Sequence, residues 1–201
     1  MRMWRITAVM TLLLWAQGAL AGTVLVLGDS ISAAFGLDIR QGWVSLLEQR
    51  LVAEGFDYQV VNASVSGDTS AGGLARLPTL LTEHRPDVVI IELGGNDGLR
   101  GQLPVQLQQN LAAIVQQSQK AGAKVLILGM RLPPNYGLRY TTAFAEVFPK
   151  VASETGSALV PFVLEGIGGV PSMVQSDGIH PTAEAQPVLL DNVWLTLKPL
   201  L

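Results

Sequence analysis

The sequence predicts an α/β fold: an open, mostly parallel sheet with helices on both faces. Two observations carry this. Five short apolar runs recur at 24–27, 58–62, 87–93, 124–130 and 158–162, and stretches with helical spacing lie between them. Strands alternating with helices assemble into a parallel sheet. Moreover, "DVVIIEL" and "KVLILGM" are continuously apolar rather than alternating, as expected of strands covered on both faces.

Taken in order, the chain opens "MRMWRITAVMTLLLWAQGALA". Arg2 and Arg5 precede an apolar run over 6–15, and Ala19-Leu20-Ala21 forms an A-x-A cleavage site. This reads as a secretory signal peptide over 1–21, because a spanning helix needs about 20 apolar residues. Without cysteine it is not a lipoprotein signal. Residues 22–201 are then one domain of an exported protein.

The first strand, "VLVL", runs into Gly28-Asp29-Ser30. A helix follows on the stripe Trp43, Leu46, Leu47 and Leu51, closed by Gly55. The second strand leads to "ASVSGDTS" with Gly67, and the third to Gly94-Gly95-Asn96-Asp97. Leu103, Leu107, Leu111, Ile114 and Val115 mark the next helix, with Pro104 near its start and Gly122 just past its end. The fourth strand feeds the segment 131–140, "RLPPNYGLRY". After the fifth come Asp177-Gly178-Ile179-His180-Pro181 and a last helix on Ala185, Leu189, Val193 and Leu197.

Composition narrows the chemistry. A chain of 201 residues with 49% hydrophobic content can build a sizeable core without disulfides. A net charge of −3 without basic runs argues against nucleic acid as a partner. Two histidines and no cysteine leave little for a soft-ligand metal site, so no metal or other cofactor is expected. Beyond the leader no long apolar run suggests stable membrane insertion, and a monomer is expected.

Open parallel sheets bind ligands outside the carboxyl ends of their strands. Each loop there has a plain structural reading: Gly-Asp-Ser as a turn, Gly-Gly-Asn-Asp as turn chemistry, Gly67 as a positive φ, and Asp-x-x-His as a helix cap. Together they supply the parts for acyl transfer. Ser30 can attack, His180 can take its proton, and Asp177 can orient the imidazole. The amides of Ser30 and Gly67 and the side chain of Asn96 can bind the oxyanion. The other histidine, His84, falls between a helix and the third strand, at the opposite edge of the sheet.

At these loops the chain resembles the SGNH hydrolases, also called the GDSL lipases and esterases. The four residues that give that family its name fall on Ser30, Gly67, Asn96 and His180, with Asp177 three before the histidine. The blocks come in the family's order across 28–181, and Ile31 replaces the more usual Leu. The resemblance implies a flavodoxin-like, three-layer α/β/α sandwich on a mostly parallel five-stranded sheet. There is no G-x-S-x-G elbow, so the α/β-hydrolase arrangement is not implied.

"GGNDGLRG" and "LPPNYGLRY" are similar to the bacterial periplasmic thioesterase I/protease I/lysophospholipase L1 group. That likeness implies a periplasmic esterase acting on acyl thioesters, aryl esters and lysophospholipids. Leu132, Pro134 and Tyr136 are the candidate substrate contacts, since the apolar character of that loop suits an acyl chain better than a sugar. Two other readings are a polysaccharide or cell-wall O-acetyl esterase with the same triad, and a non-catalytic lipid- or glycan-binding module. The latter predicts a lost catalytic residue, and none is lost.

Overall fold

A computed structural model of the chain describes residues 21–201. The signal-peptide expectation therefore lies, except for Ala21, outside the described residues.

The elements run β1 (Gly22–Gly28), α1 (Trp43–Ala53), β2 (Tyr58–Asn62), α2 (Ser70–His84), β3 (Val88–Glu92), α3 (Gly95–Leu99) and α4 (Pro104–Lys120). Then come β4 (Lys124–Leu128), α5 (Leu138–Ala145), α6 (Val147–Thr155), β5 (Ala158–Val160) and α7 (Gln186–Leu197). All strands are parallel, in the order β2-β1-β3-β4-β5. This is the flavodoxin-like order, as the sequence implied.

Side chains alternate across each strand and divide the core in two. Val24, Val26, Val88, Ile90, Leu126 and Leu128 pack against α1 and α7, including Trp43, Leu47, Leu189 and Val193. Leu25, Leu27, Val89, Ile91, Val125 and Ile127 face the opposite layer, with Leu77 of α2, Leu111 of α4 and Phe148 of α6. Full burial of each such side chain contributes roughly 1.5–3 kcal/mol. Truncating any of these leucines to Ala should cost about 2–5 kcal/mol.

Three strands, β3, β4 and β5, are shorter than the apolar runs suggest. The run 158–162 stops pairing at Val160 because Pro161 has no N–H for the ladder. Gly129, just past β4, instead donates to the Val160 carbonyl at 2.8 Å. Segment 131–140, read as a loop, contains a single 3₁₀ turn at Pro134–Tyr136 and the start of α5.

The topology fixes where a site can form. β1 pairs with β2 on one side and with β3 on the other. The chain reverses its winding between β1 and β3, so the loops leaving these strands diverge and open a crevice. Ser30 follows β1, and Asn96 follows β3. His84 ends α2 at the far edge of the sheet.

Candidate active site

Asp29 and Ser30 sit at the end of a strand that is buried from Thr23 onward, in a tight turn. Ala33 N–H donates to the Asp29 carbonyl and Phe35 N–H to the Ser30 carbonyl, each at 3.0 Å. The turn is anchored from three directions. Asn62, at the end of β2, donates from Nδ2 to the Ser32 carbonyl at 2.8 Å. Trp43 of α1 donates from Nε1 to Ser32 Oγ at 3.2 Å. Beneath the turn, Glu92 Oε2 accepts from the amides of Asp29 and Ser32 and from Ser32 Oγ.

The loop before α7 reaches this turn from 150 residues away in sequence. Ser30 Oγ and His180 Nε2 are 2.8 Å apart, and His180 Nδ1 and Asp177 Oδ2 are 2.6 Å apart. Asp177 Oδ1 also accepts the N–H groups of Ile179 and His180. Partial burial raises the Asp177 carboxyl, but the His180 bond and these two amides outweigh it and hold the group at about 2. An ionised carboxylate only accepts, so His180 carries its proton on Nδ1 and leaves Nε2 free to accept from Ser30 Oγ–H.

Two contacts hold the imidazole in place. The Phe35 ring lies against it, with centroids 4.5 Å apart. Gln175 bridges the two loops, donating from Nε2 to the carbonyls of Phe35 and Pro181, while its N–H donates to the His180 carbonyl. Asp177 therefore orients the histidine and does not cap α7, which starts at Gln186.

Ser30, Gly67, Asn96 and His180 line one cavity of about 290 Å³. Among the described residues, the N–H groups of Ser30 and Gly67 have no protein acceptor. Gly67 has φ +81, and an added Cβ would meet only Arg100 Nη2, at 3.8 Å. Backbone conformation rather than space thus requires the glycine, which lines the cavity. At Gly94, with φ +120, a Cβ would press on Leu107 and Phe148. Glycine there lets the third loop turn inward and carry Asn96 to the crevice. Such a cavity, with three donors and an acceptor for the Ser30 proton, can support acyl transfer.

A second cavity of about 310 Å³ adjoins the first through Ile31, Gly95, Leu99 and Ile179. Its wall includes Met130, Leu132, Pro134 and Phe162. Tyr136, expected to offer surface to substrate, is not part of that wall. Its hydroxyl donates to the Leu99 carbonyl at 3.0 Å and its ring stacks on Tyr140, so it holds the loop instead. A larger cavity, about 440 Å³, lies behind Leu132 between Thr141, Glu146 and Pro161, and contains none of Ser30, Asp177 or His180. Among the described residues, no cluster of acidic and histidine side chains could hold a metal ion.

Residues 26–187 match the model of the GDSL-like lipase/acylhydrolase family. The chain belongs to this family. Within it, the sequence is 63% identical to esterase TesA of Pseudomonas aeruginosa, over the full length of both chains. It is 45% identical to thioesterase 1/protease 1/lysophospholipase L1 of Escherichia coli strain K12, covering 98% of this chain and 93% of that one. The crystal structure of TesA superposes with a TM-score of 0.88 at 67% identity, covering 89% of this chain and 99% of that one. All five candidate residues of the triad and oxyanion site fall inside the GDSL-like match.

Sequence reasoning missed Met130, Phe35, Gln175 and the buried acids. Glu92 carried a signal, since an acid closing an otherwise apolar strand must be held by donors. Phe35 and Gln175 had none, because their partners are distant in the chain.

Proposed function

We propose that this GDSL-like hydrolase is an exported serine esterase and thioesterase that cleaves acyl esters and thioesters through an acyl-Ser30 intermediate. The supporting observation is the hydrogen-bonded series Ser30–His180–Asp177 beside a cavity lined by Ser30, Gly67 and Asn96. Its family and its relatives, named as esterases and thioesterases, point the same way.

In this reaction Ser30 Oγ attacks the acyl carbonyl while its proton passes to His180 Nε2. Asp177 stabilises the resulting imidazolium. Negative charge collects on the former carbonyl oxygen, where the Ser30 and Gly67 amides and Asn96 Nδ2–H donate to it. The imidazolium then protonates the departing alcohol or thiol, and the C–O or C–S bond breaks. Water enters, gives a proton to His180, and attacks the acyl-enzyme. Ser30 regains its proton as the carboxylic acid leaves.

The apolar cavity beside Ser30 favours single-chain acyl substrates, including lysophospholipids and aryl esters, over acetylated sugars. Each buried methylene is worth up to about 0.8 kcal/mol, and a half-open groove captures part of this. On nitrophenyl esters, kcat/KM should rise about 10- to 100-fold from acetyl to octanoyl. A preference for acetyl would replace this reading with the O-acetyl esterase. Export rests on the leader read in residues 1–21. It is checked by the N-terminus of protein recovered from the periplasm, which should begin at Gly22.

A further inference from the structure

Behind the oxyanion cavity lies a pair of acids that the reaction above does not use. Asp29 is 2% exposed and Glu92 is fully buried. Asp29 Oδ1 accepts the Ile31 N–H at 3.1 Å, and Asp29 Oδ2 accepts from Asn96 Nδ2 at 3.0 Å. The Glu92 side chain also contacts the Asp29 carboxyl. Gly95, which precedes Asn96, packs beside the same oxygen: a Cβ there would stand 3.4 Å from Asp29 Oδ2.

A side-chain amide is nearly symmetric in shape but opposite in function at its two ends. Turned one way, Asn96 presents Nδ2 with two hydrogens, one for Asp29 and one for the cavity. Turned the other way, it presents a carbonyl oxygen, which would repel an oxyanion. The acceptor behind it decides between them. We infer that Asp29 is a positioning residue, whose carboxylate selects the Asn96 orientation that directs an N–H into the oxyanion site beside Ser30.

This inference rests on the proposed reading of Asn96 as an oxyanion donor. It requires an ionised Asp29, because a proton or an amide NH₂ on Oδ2 would face Nδ2 and turn Asn96 over. The charged and titratable groups facing Asp29 are Glu92 from β3 and His180 from the loop before α7, and Asn96 of α3 is the neutral partner. Burial pushes the Asp29 carboxyl up to about 6, against the lowering bonds from Ile31 and Asn96.

The test is a double-mutant cycle on nitrophenyl octanoate with Asp29→Asn, Asn96→Ala and the combination. An amide at position 29 must keep its oxygen on the Ile31 N–H, so its NH₂ turns Asn96 over. Asp29→Asn should lower kcat about 10- to 100-fold, approaching the loss of one oxyanion donor, with KM within a few-fold. In the Asn96→Ala background the same change should cost less than about threefold, since the donor it positions is gone. Additive losses would overturn the inference, whereas an Asn96→Ala variant with normal kcat would overturn the reading on which it rests. A readout in the unmutated protein guards against misfolding of the variant. The ¹⁵N–¹H pair of the Asn96 side chain, identified by its loss in Asn96→Ala, should shift as pH falls through about 6. A pair that stays unmoved while the Asp29 carboxyl ¹³C signal titrates would also overturn the inference.

Discussion

Phe35 packs its ring against the His180 imidazole, with centroids 4.5 Å apart and planes tilted by 35°. Half of Phe35 remains exposed, at 48%, so it shields one face of the base while anchoring little of the core. Its role is therefore separable from stability. An aromatic contact of this kind is worth about 0.5–1.5 kcal/mol. Phe35→Ala should lower kcat/KM by about 2- to 10-fold on a nitrophenyl ester and move the melting temperature little. Phe35→Tyr should restore most of the activity. Unchanged kinetics in Phe35→Ala would show that the bond to Asp177 alone orients the imidazole.

Asn96→Ala should reduce kcat by roughly 100- to 1,000-fold with a modest change in KM, the usual cost of one oxyanion donor. A loss confined to KM would make Asn96 a ground-state contact instead. Asn62 is no silent control for this experiment, because its Nδ2 supports the Ser32 carbonyl in the nucleophile turn.

Much of this arrangement is legible in the sequence, for a local reason. The continuous apolar runs at β3 and β4 declare strands covered on both faces, and Gly28, Gly67 and Gly94 mark where the chain must turn. What stays hidden acts at long range. Glu92 meets Ser32 across 60 residues and Gln175 meets Phe35 across 140, and no spacing rule joins such pairs. Helices α5 and α6 are an intermediate case. Phe144, Val147, Phe148 and Val151 form a helical stripe, interrupted where α5 ends at Ala145 and α6 begins at Val147.

The two buried acids should leave a signature in stability. Burial, and for Glu92 the neighbouring Asp29 charge, raise both carboxyls above their unfolded values. Their contribution is therefore fully present below pH about 4 and is lost as pH rises through their folded values. Asp177, held at about 2, acts in the opposite sense, and its contribution is lost as pH falls below about 4. Glu92→Gln mimics the protonated acid. It should flatten the decline in unfolding free energy as pH rises above the ordinary carboxyl range, measured by urea titration. An unaltered slope would mean that Glu92 is ionised throughout.

The cavity beside Ser30 should set chain-length preference through its walls. Met130 lies at 5% exposure and lines the apolar cavity, whose wall includes neither Ser30 nor His180. Met130→Trp should fill the space and lower kcat/KM for octanoyl esters about 10-fold or more, while acetyl esters keep most of theirs. Equal losses on both substrates would place the acyl chain elsewhere.

The central claim is that Ser30 carries the acyl group, and covalent labelling tests it most directly. A fluorophosphonate reacts only with an activated hydroxyl, so intact-mass and peptide analysis should show one adduct, on Ser30. Asp177→Asn and His180→Ala should slow its formation sharply, because Ser30 then loses the base that takes its proton. A tag on any other serine, or active protein that takes no tag, would contradict the account.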